Sequence, residues 1–487
     1  MNLSKSKYCN GLQCKKMLWL YKYKPEEKEE LDNDSVLENG NDVHEVARKL
    51  LGKDVNIAFN ENLSEMIKDT EQALKKENVI VTEASFNYKN NFCSVDILKK
   101  EGDSYEIYEV KSSTKLNDVY LNDASYQYYV LTSLGLNVKK CFVVLLNNKY
   151  VKNGEIELDK LFIKNDITDI AISKLDEVKK NIEDINKYME QKEEPDDDID
   201  MKCFNPYKCP FFKYCTRNLP SPNVFDLRII WTSQKMKLYK QGLYDLNDLL
   251  DKNLDDKVKQ QVEYEVLDKE DYIDKEKIDD FLSELSMPLY FLDFETFALP
   301  IPRYDGTRPY QKVAFQYSLH YIENDKLYHK EFLAEPDIDP RRSLAERLVN
   351  DIPKDVCVLA YNMEFEKRVI KELADMYPDL NDHLMNIYDN MKDLMIPFDN
   401  RWYYNRAMHG FYSIKYVLPA LFPNDESLNY KNLELVHNGD EAMNIYARLG
   451  EYPKEEQEHI RERLLKYCEL DTYAMVKIYE KLLEVVK

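Results

Sequence analysis

The stretch PLYFLDFETF (288–297) constrains this chain more than any other ten residues. It is an apolar run of strand length, and side chains alternate along a strand, so Asp293 and Glu295 must share one face. Two carboxylates on the face of a buried strand are costly unless something neutralises them. Whatever fold forms must therefore bring compensating groups to that strand. Two later segments supply candidates, and both are acidic. VCVLAYN (356–362) reads as a second strand, and Asn362 is placed to cap a helix carrying Glu366. ERLLKYCELDTYAMVKIYEKLL (462–483) has helical apolar spacing, which puts Tyr467 and Asp471 on one face, four residues apart. Asp293, Glu295, Glu366 and Asp471 together make an oxygen ligand set suited to two hard divalent ions, Mg2+ or Mn2+.

The order D-x-E, N-x-x-F-(D/E), Y-x-x-x-D resembles the three motifs of DEDD exonucleases in their tyrosine variant. That resemblance implies an RNase H-like domain over 286–487 acting as a 3′–5′ exonuclease. Asp293, Glu295, Glu366 and Asp471 would hold the metals, and Tyr467 would orient or help deprotonate the attacking water. The family's second motif usually closes on Asp; here Glu366 stands in that place, with Glu364 as a rival. Lys415, in GFYSIKYVLPALFP, is a candidate phosphate contact, and Asp393, in MKDLMIPF, reads either as a residue supporting the metal ligands or, more simply, as a helix or turn residue.

Cysteine placement gives the next constraint. Cys203, Cys209 and Cys215 lie in MKCFNPYKCPFFKYC, far from Cys14 in GLQCKKMLWL. Nine cysteines, an odd number, with no secretory signal, argue against a disulfide framework. The evenly spaced trio suggests a metal or cluster site, with Cys14 and Cys9 competing for the fourth place. Cys93, Cys141, Cys357 and Cys468 sit in apolar segments and read as buried structural thiols.

Between these cysteines, NFCSVDILKKEGDSYEIYEVKSS (91–113) reads as a hairpin turning at Gly102-Asp103. A tight turn sets Asp96 across from Glu109, and Lys111 shares the face of Glu109. A divalent ion could bridge the two carboxylates, with Lys111 polarising water or the scissile phosphate. His44 lies on a helix start upstream, and Gln127 on a helix downstream.

This order of parts resembles the RecB-like branch of PD-(D/E)XK nucleases over 1–220, closest to CRISPR-associated members with an iron–sulfur cluster. It implies metal ligands at His44, Asp96 and Glu109, a catalytic Lys111, a supporting Gln127, and a weaker role for Glu83. Cluster ligands would be Cys14, Cys203, Cys209 and Cys215, holding a 4Fe-4S cluster, with zinc as the alternative. The relatives usually carry a C-x-x-C pair in the trio, which is missing here. The whole chain also resembles a bacterial and archaeal family, known only as a domain of unknown function, that joins a RecB-like nuclease to an RNase H-like exonuclease.

The expected organisation is thus α/β: a restriction-endonuclease-like domain over 1–220, a helical linker over 221–285, and the exonuclease-like domain from 286. ITDIAISKLDEVKKNIEDINKYMEQ (167–191) reads as one long amphipathic helix, and EEPDDDID (193–200) as a solvated connector. At 487 residues, with no membrane-length apolar run and no apolar leader, a cytoplasmic enzyme is expected. The net charge of −22 excludes capture of nucleic acid by bulk electrostatics. Contacts must come from bound metal or local strips, such as Lys5, Lys7, Lys15, Lys16, Lys22 and Lys24 around Trp19, which reads equally as a solvated helix face. The reading that combines these features is a two-site, metal-dependent nuclease acting on DNA more readily than RNA. The alternatives are a nucleic-acid-binding scaffold with degenerate sites and an RNA-processing exonuclease.

Overall fold

The hairpin written into residues 91–111 lies in the middle of a seven-stranded mixed sheet. In this computed structural model, which describes residues 3–30 and 42–487, the chain is an α/β protein of two units. Residues 1–218 and 299–311 form the first, and residues 219–298 and 312–487 the second.

The first unit's strands are β1 (Leu3–Ser4), β2 (Val55–Asn56), β3 (Asn78–Tyr88), β4 (Asn91–Glu101), β5 (Ser104–Lys111), β6 (Asn137–Leu146) and β7 (Phe162–Asp166). Their order is β2-β3-β4-β5-β6-β7, with β1 pairing in parallel to β4. Gly102 supplies the left-handed turn residue, at φ +56°, between β4 and β5. The register pairs Glu101 with Ser104 and Ile97 with Tyr108, as the tight turn requires. Helices α1 (Lys5–Gln13) and α2 (Lys15–Tyr23) follow β1, and residues 42–47 are helical around His44. Asn117 caps α3 (Asp118–Ser133), which carries Gln127. The long helix expected over 167–191 is instead two, Thr168–Ser173 and Leu175–Tyr188.

In the second unit, β8 (Tyr272–Ile273) pairs with the late strand β14 (Tyr403–Tyr404). The remaining strands are β9 (Leu289–Ala298), β10 (Lys312–Glu323), β11 (Lys326–Leu333), β12 (Cys357–Ala360) and β13 (Met391–Asp393), in the order β11-β10-β9-β12-β13. β9 runs antiparallel to β10 and parallel to β12. Both faces of this sheet are covered, which is why β9 reads as an apolar run. Tyr290, Leu292 and Phe294 pack with Leu344, Leu348, Ile370 and Leu373 on one side. Leu289 and Phe291 pack on the other with Ala474, Ile478 and Leu482 of a 33-residue helix, α6 (Lys454–Val486). Full burial of each such Leu, Ile or Phe stabilises by about 1.5–3 kcal/mol. Between these helices, α4 (Glu364–Met376) follows β12, and α5 (Ile414–Leu421) precedes α6.

The expected linker over 221–285 is not a free connector. Val224, Leu227, Leu246, Leu249, Val258 and Val262 form a small core of their own. Tyr264, Ile278 and Phe281 join the core beneath β9 and α6. Conversely, residues 299–311, inside the span expected to be the C-terminal domain, belong with the first unit, where Tyr310 bonds Ser112 and Lys152 bonds Asp305. Among the described residues, no helix is long and apolar enough to cross a membrane.

Candidate functional site

Asp293 and Glu295 occupy the positions on β9 where the alternation that buries Leu289 and Phe291 would otherwise continue toward α6. Asp471 of α6 faces them, and one carboxylate oxygen from each of the three lies within 4.8 Å of the others. Tyr430 donates to Asp471 Oδ1 at 2.6 Å, and Tyr467, one turn before Asp471, also bonds it. Glu366 enters from the first turn of α4, 3% exposed, with its Oε2 buried and without a partner. Glu364 is exposed, so the two rivals separate by burial.

The expectation that Asn362 caps α4 is overturned. Asn362 adopts φ +69°, and the cap position falls on Met363, whose side chain makes no cap bond. Asp393 does the capping from β13, accepting from the backbone N–H groups of Asn362 at 2.9 Å and Met363 at 3.2 Å. Asp393 thereby fixes the turn that aims Glu366.

Burial raises all four carboxyls, and their neighbours' charges add to it at Asp293, Glu295 and Glu366. Burial and then the charges of Asp471, Glu366 and Glu295 push Asp293 well above the usual carboxylate range. Burial and Asp471 do the same to Glu295, against a small easing by Lys415. Burial lifts Glu366 to about 8, with Asp393 and Asp471 adding to it. Asp471 reaches about 6, because the Tyr430 hydroxyl and Lys415 offset part of its burial. Lys415 lies over the rings of Tyr430 and Tyr467, at 5.8 and 5.9 Å, on the exposed side. A partnerless buried oxygen on Glu366 and converging ligand atoms on three neighbours fit hard divalent cations.

The first unit's cluster is built differently. Asp96, Glu109, Lys111, Gln127 and His44 do come together, but two lysines sit among them. Lys5 Nζ lies 3.2 Å from Asp96 Oδ1 and 3.0 Å from Glu109 Oε1, where a bridging ion was expected. Lys111 Nζ is 2.5 Å from both Glu109 Oε1 and Asp123 Oδ2. Gln127 Nε2 donates to Glu109 Oε2 at 2.7 Å. The β4–β5 ladder ends at Ile97, and Asp96 Oδ2 accepts the Val110 N–H at 2.7 Å. His44 Nε2 stands 3.9 Å from Asp96 Oδ2, and His44, Glu83 and Asp96 offer ligand atoms within 4.8 Å of one another. Glu83 holds φ +56° within β3, a strained conformation for a residue with a side chain.

Burial alone would raise Glu109, but Lys111 and Lys5 outweigh it and hold its carboxyl well below the usual range. Burial likewise works against both ammoniums, yet the carboxylates keep Lys5 and Lys111 raised. Lys111 is therefore a fixed cation, able to polarise but not to abstract a proton. It is also structural, since its removal would leave Asp123 without its ion-pair partner and Glu109 with Lys5 and Gln127 alone. Sequence reasoning missed Lys5, Asp123 and Tyr430. Asp123 carried a signal, since it precedes Gln127 by one helical turn; Lys5 and Tyr430 arrive from distant segments with no local pattern.

Lys5 also breaks up the supposed basic strip. Lys16 is 8% exposed, and it and Lys24 both pair with Glu194, at 3.4 and 2.9 Å. Arg217 reaches the same carboxylate at 3.5 Å, so the acidic loop 193–200 is more than a solvated connector.

Cys14, Cys203, Cys209 and Cys215 line one small cavity with Met17, Leu20 and Phe212. Cys9 lies elsewhere, beside the groove bordered by Asn10, Gln13, Asn117 and Tyr207. Cys14 caps α2, its Sγ accepting from the Met17 N–H at 3.4 Å. Burial pushes the thiols of Cys209 and Cys215 up to about 12 and about 11, and Cys203 above its ordinary value. All nine cysteines are free, and Cys93, Cys141, Cys357 and Cys468 are buried in the core as expected.

A family model described as "Domain of unknown function (DUF2779)" matches residues 290–413. That span holds Asp293, Glu295, Glu366 and Asp393 and stops short of Tyr467 and Asp471. "Uncharacterized protein MG366" of Mycoplasma genitalium is 25% identical over 223 residues, which is 42% of this chain and 33% of that protein. The matched region thus spans about a third of that curated relative's length. No solved structure matches the chain.

Proposed function

We propose that this chain is a metal-dependent nuclease whose principal active site is the carboxylate cluster of the second unit. The observation that carries the reading is the convergence of Asp293, Glu295 and Asp471, with Glu366 close enough to raise Asp293, from three distant segments, and with Tyr467 on the same helix face as Asp471. Divalent cations bound there would supply Lewis acidity and an activated water for attack on a phosphodiester. The chain's own part is to hold four carboxylates rigidly on a central strand and two helices. The Tyr467 hydroxyl, kept protonated by burial and by Asp471, orients a water by hydrogen bonding. Lys415, on the exposed side, would meet a substrate phosphate, and the 3′–5′ direction follows from the resemblance to DEDD exonucleases.

In the first unit, Asp96, Glu109 and Lys111 support a PD-(D/E)XK-like site, with His44 and Glu83 completing the metal side. The four thiols around one cavity suit a 4Fe-4S cluster or zinc that ties residue 14 to residues 203–215. The second reading is a first site that binds without cutting. It is favoured by one observation, the Lys5 ammonium already bridging Asp96 and Glu109.

Purified protein should shorten 3′-labelled DNA with Mn2+ and not with EDTA, and Asp293→Asn should abolish that trimming. Asp96→Asn should leave trimming intact and remove any Mn2+-dependent cleavage of internally labelled DNA. A folded Asp293→Asn variant that trims like wild type would sink the principal reading. Wild-type activity on RNA alone would move it to RNA processing.

A further inference from the structure

Beside the second unit's carboxylate cluster, but outside its ligand set, β10 and β11 carry two histidines opposite one another. The register pairs His320 with His329, and their ring centroids lie 4.4 Å apart. Glu469 of α6 completes the group: one ring nitrogen of each histidine and one oxygen of Glu469 lie within 4.8 Å of one another. His329 Nδ1 is 3.9 Å from Glu469 Oε1.

The hydroxyls behind the rings decide which nitrogens are available. His320 Nδ1 is 2.8 Å from Thr472 Oγ1, and His329 Nε2 is 2.9 Å from Ser318 Oγ. Those hydroxyls are themselves 2.6 Å apart, and Thr472 Oγ1 donates to the Glu469 carbonyl at 3.2 Å. One proton arrangement satisfies the whole network. His320 Nδ1–H and His329 Nε2–H donate to Thr472 and Ser318, Ser318 donates to Thr472, and Thr472 donates to the carbonyl. The ring nitrogens left outside this network are His320 Nε2 and His329 Nδ1. This is how metal-ligating histidines are held: the second ring nitrogen bonds a fixed partner, which sets tautomer and ring orientation. His320 is 4% exposed, while the side chains of His329 and Glu469 are 23% and 49% exposed, so the group opens to solvent on one side.

We propose that His320 Nε2, His329 Nδ1 and Glu469 bind one divalent transition-metal ion of the zinc class, distinct from the hard-cation cluster. Two imidazoles and one carboxylate are a zinc donor set, whereas an all-oxygen set such as Asp293, Glu295 and Asp471 suits magnesium or manganese. The site links two strands to α6 two residues before Asp471. Its role is to fix the register of that helix on the sheet.

The test uses the full chain, stripped with chelator and titrated with Co2+ and then Zn2+. Wild type should show weak d–d absorbance from nitrogen and oxygen donors, separate from the intense thiolate charge-transfer band of the cysteine site. It should bind one more zinc equivalent than His329→Gln or Glu469→Gln, in the presence of excess Mg2+. Thr472→Val, which frees the His320 tautomer, should weaken that equivalent by about 10–100-fold. Glu469 is half exposed, so its variant keeps the test valid if a histidine variant misfolds. If Glu469→Gln retains the wild-type stoichiometry and d–d band, or if thiolates account for all wild-type zinc, the group is a hydrogen-bonded imidazole pair and the proposal falls.

Discussion

Asp96 and Glu109 share their burial with Lys5 and Lys111, whereas Asp293, Glu295, Glu366 and Asp471 share theirs mainly with one another. In the first cluster two ammoniums offset the charges of Asp96 and Glu109. The second carries an unpaid charge that protons or added cations must meet. Sequence motifs of equal length therefore announce sites with opposite electrostatic needs. What separates them is where two lysines land, not how many acids the motif contains.

The largest expected effect is on the second cluster. Asp293→Asn should lower Mn2+-dependent trimming on the order of a thousandfold, about 4 kcal/mol in the barrier. The same substitution should raise the thermal midpoint of metal-free protein, because it removes a carboxyl whose ionisation the fold disfavours. A fall in that midpoint would break the comparison.

Lys5→Met should make the first cluster behave like the second. It leaves Asp96 and Glu109 short of a cation, so metal-free stability should drop by a few kcal/mol, less than for a fully buried pair because Lys5 is partly exposed. Mn2+ affinity at that site should rise, measured by calorimetry against wild type. Lys111→Met should also destabilise, which means that its loss of activity must be judged against a folding measurement.

The pH dependence should differ in sign. Glu366 and Asp471 titrate at about 8 and about 6 in the fold, above their ordinary values of 4.5 and 3.8. Folded groups with raised values contribute stability below their unfolded values and lose it as pH rises through the folded ones. Metal-free protein should therefore lose on the order of a few kcal/mol between about pH 5 and pH 8. Mn2+ should restore it, most at the alkaline end. Glu109, held low by lysines, contributes nothing in that window and loses stability only on acidification. Asp123, raised by burial and by Glu109, and Glu83, raised by burial and by Asp96, are the exceptions in that cluster. Thermal scans with and without Mn2+ across that range check the contrast.

The smallest effect is expected at Glu364, beside a large one at its neighbour. Glu366→Gln should eliminate trimming, while Glu364→Gln, at an exposed position, should change stability by less than about 0.5 kcal/mol and leave trimming intact. A silent Glu366 variant beside an inactive Glu364 variant would reverse the assignment.

The elements that hold these residues were legible because their signals are local. Alternation announced β9, the Gly102-Asp103 turn set the β4–β5 register, and helical spacing aligned Tyr467 with Asp471. The cap of α4 was not legible: Asp393 is a short strand's end residue that reaches back to Asn362 and Met363 across a parallel pair. Nor was Lys5, whose place depends on β1 pairing with β4 some ninety residues later. The His320–His329 pair was overlooked because two histidines nine residues apart have no meaning until a hairpin sets them opposite each other.

Residues 299–311 leave the second unit between β9 and β10 and return to it, having folded with the first. The polypeptide therefore passes from one unit to the other three times, at 218/219, 298/299 and 311/312. No single genetic breakpoint can exchange either half for a counterpart from another protein. A fusion joined only near residue 219 would carry the excursion without the unit it folds into. The strand bearing Asp293 and Glu295 and its neighbour β10 flank that excursion directly, so shuffling of the first unit disturbs the connection between them. Recombination can move these two units only as a pair.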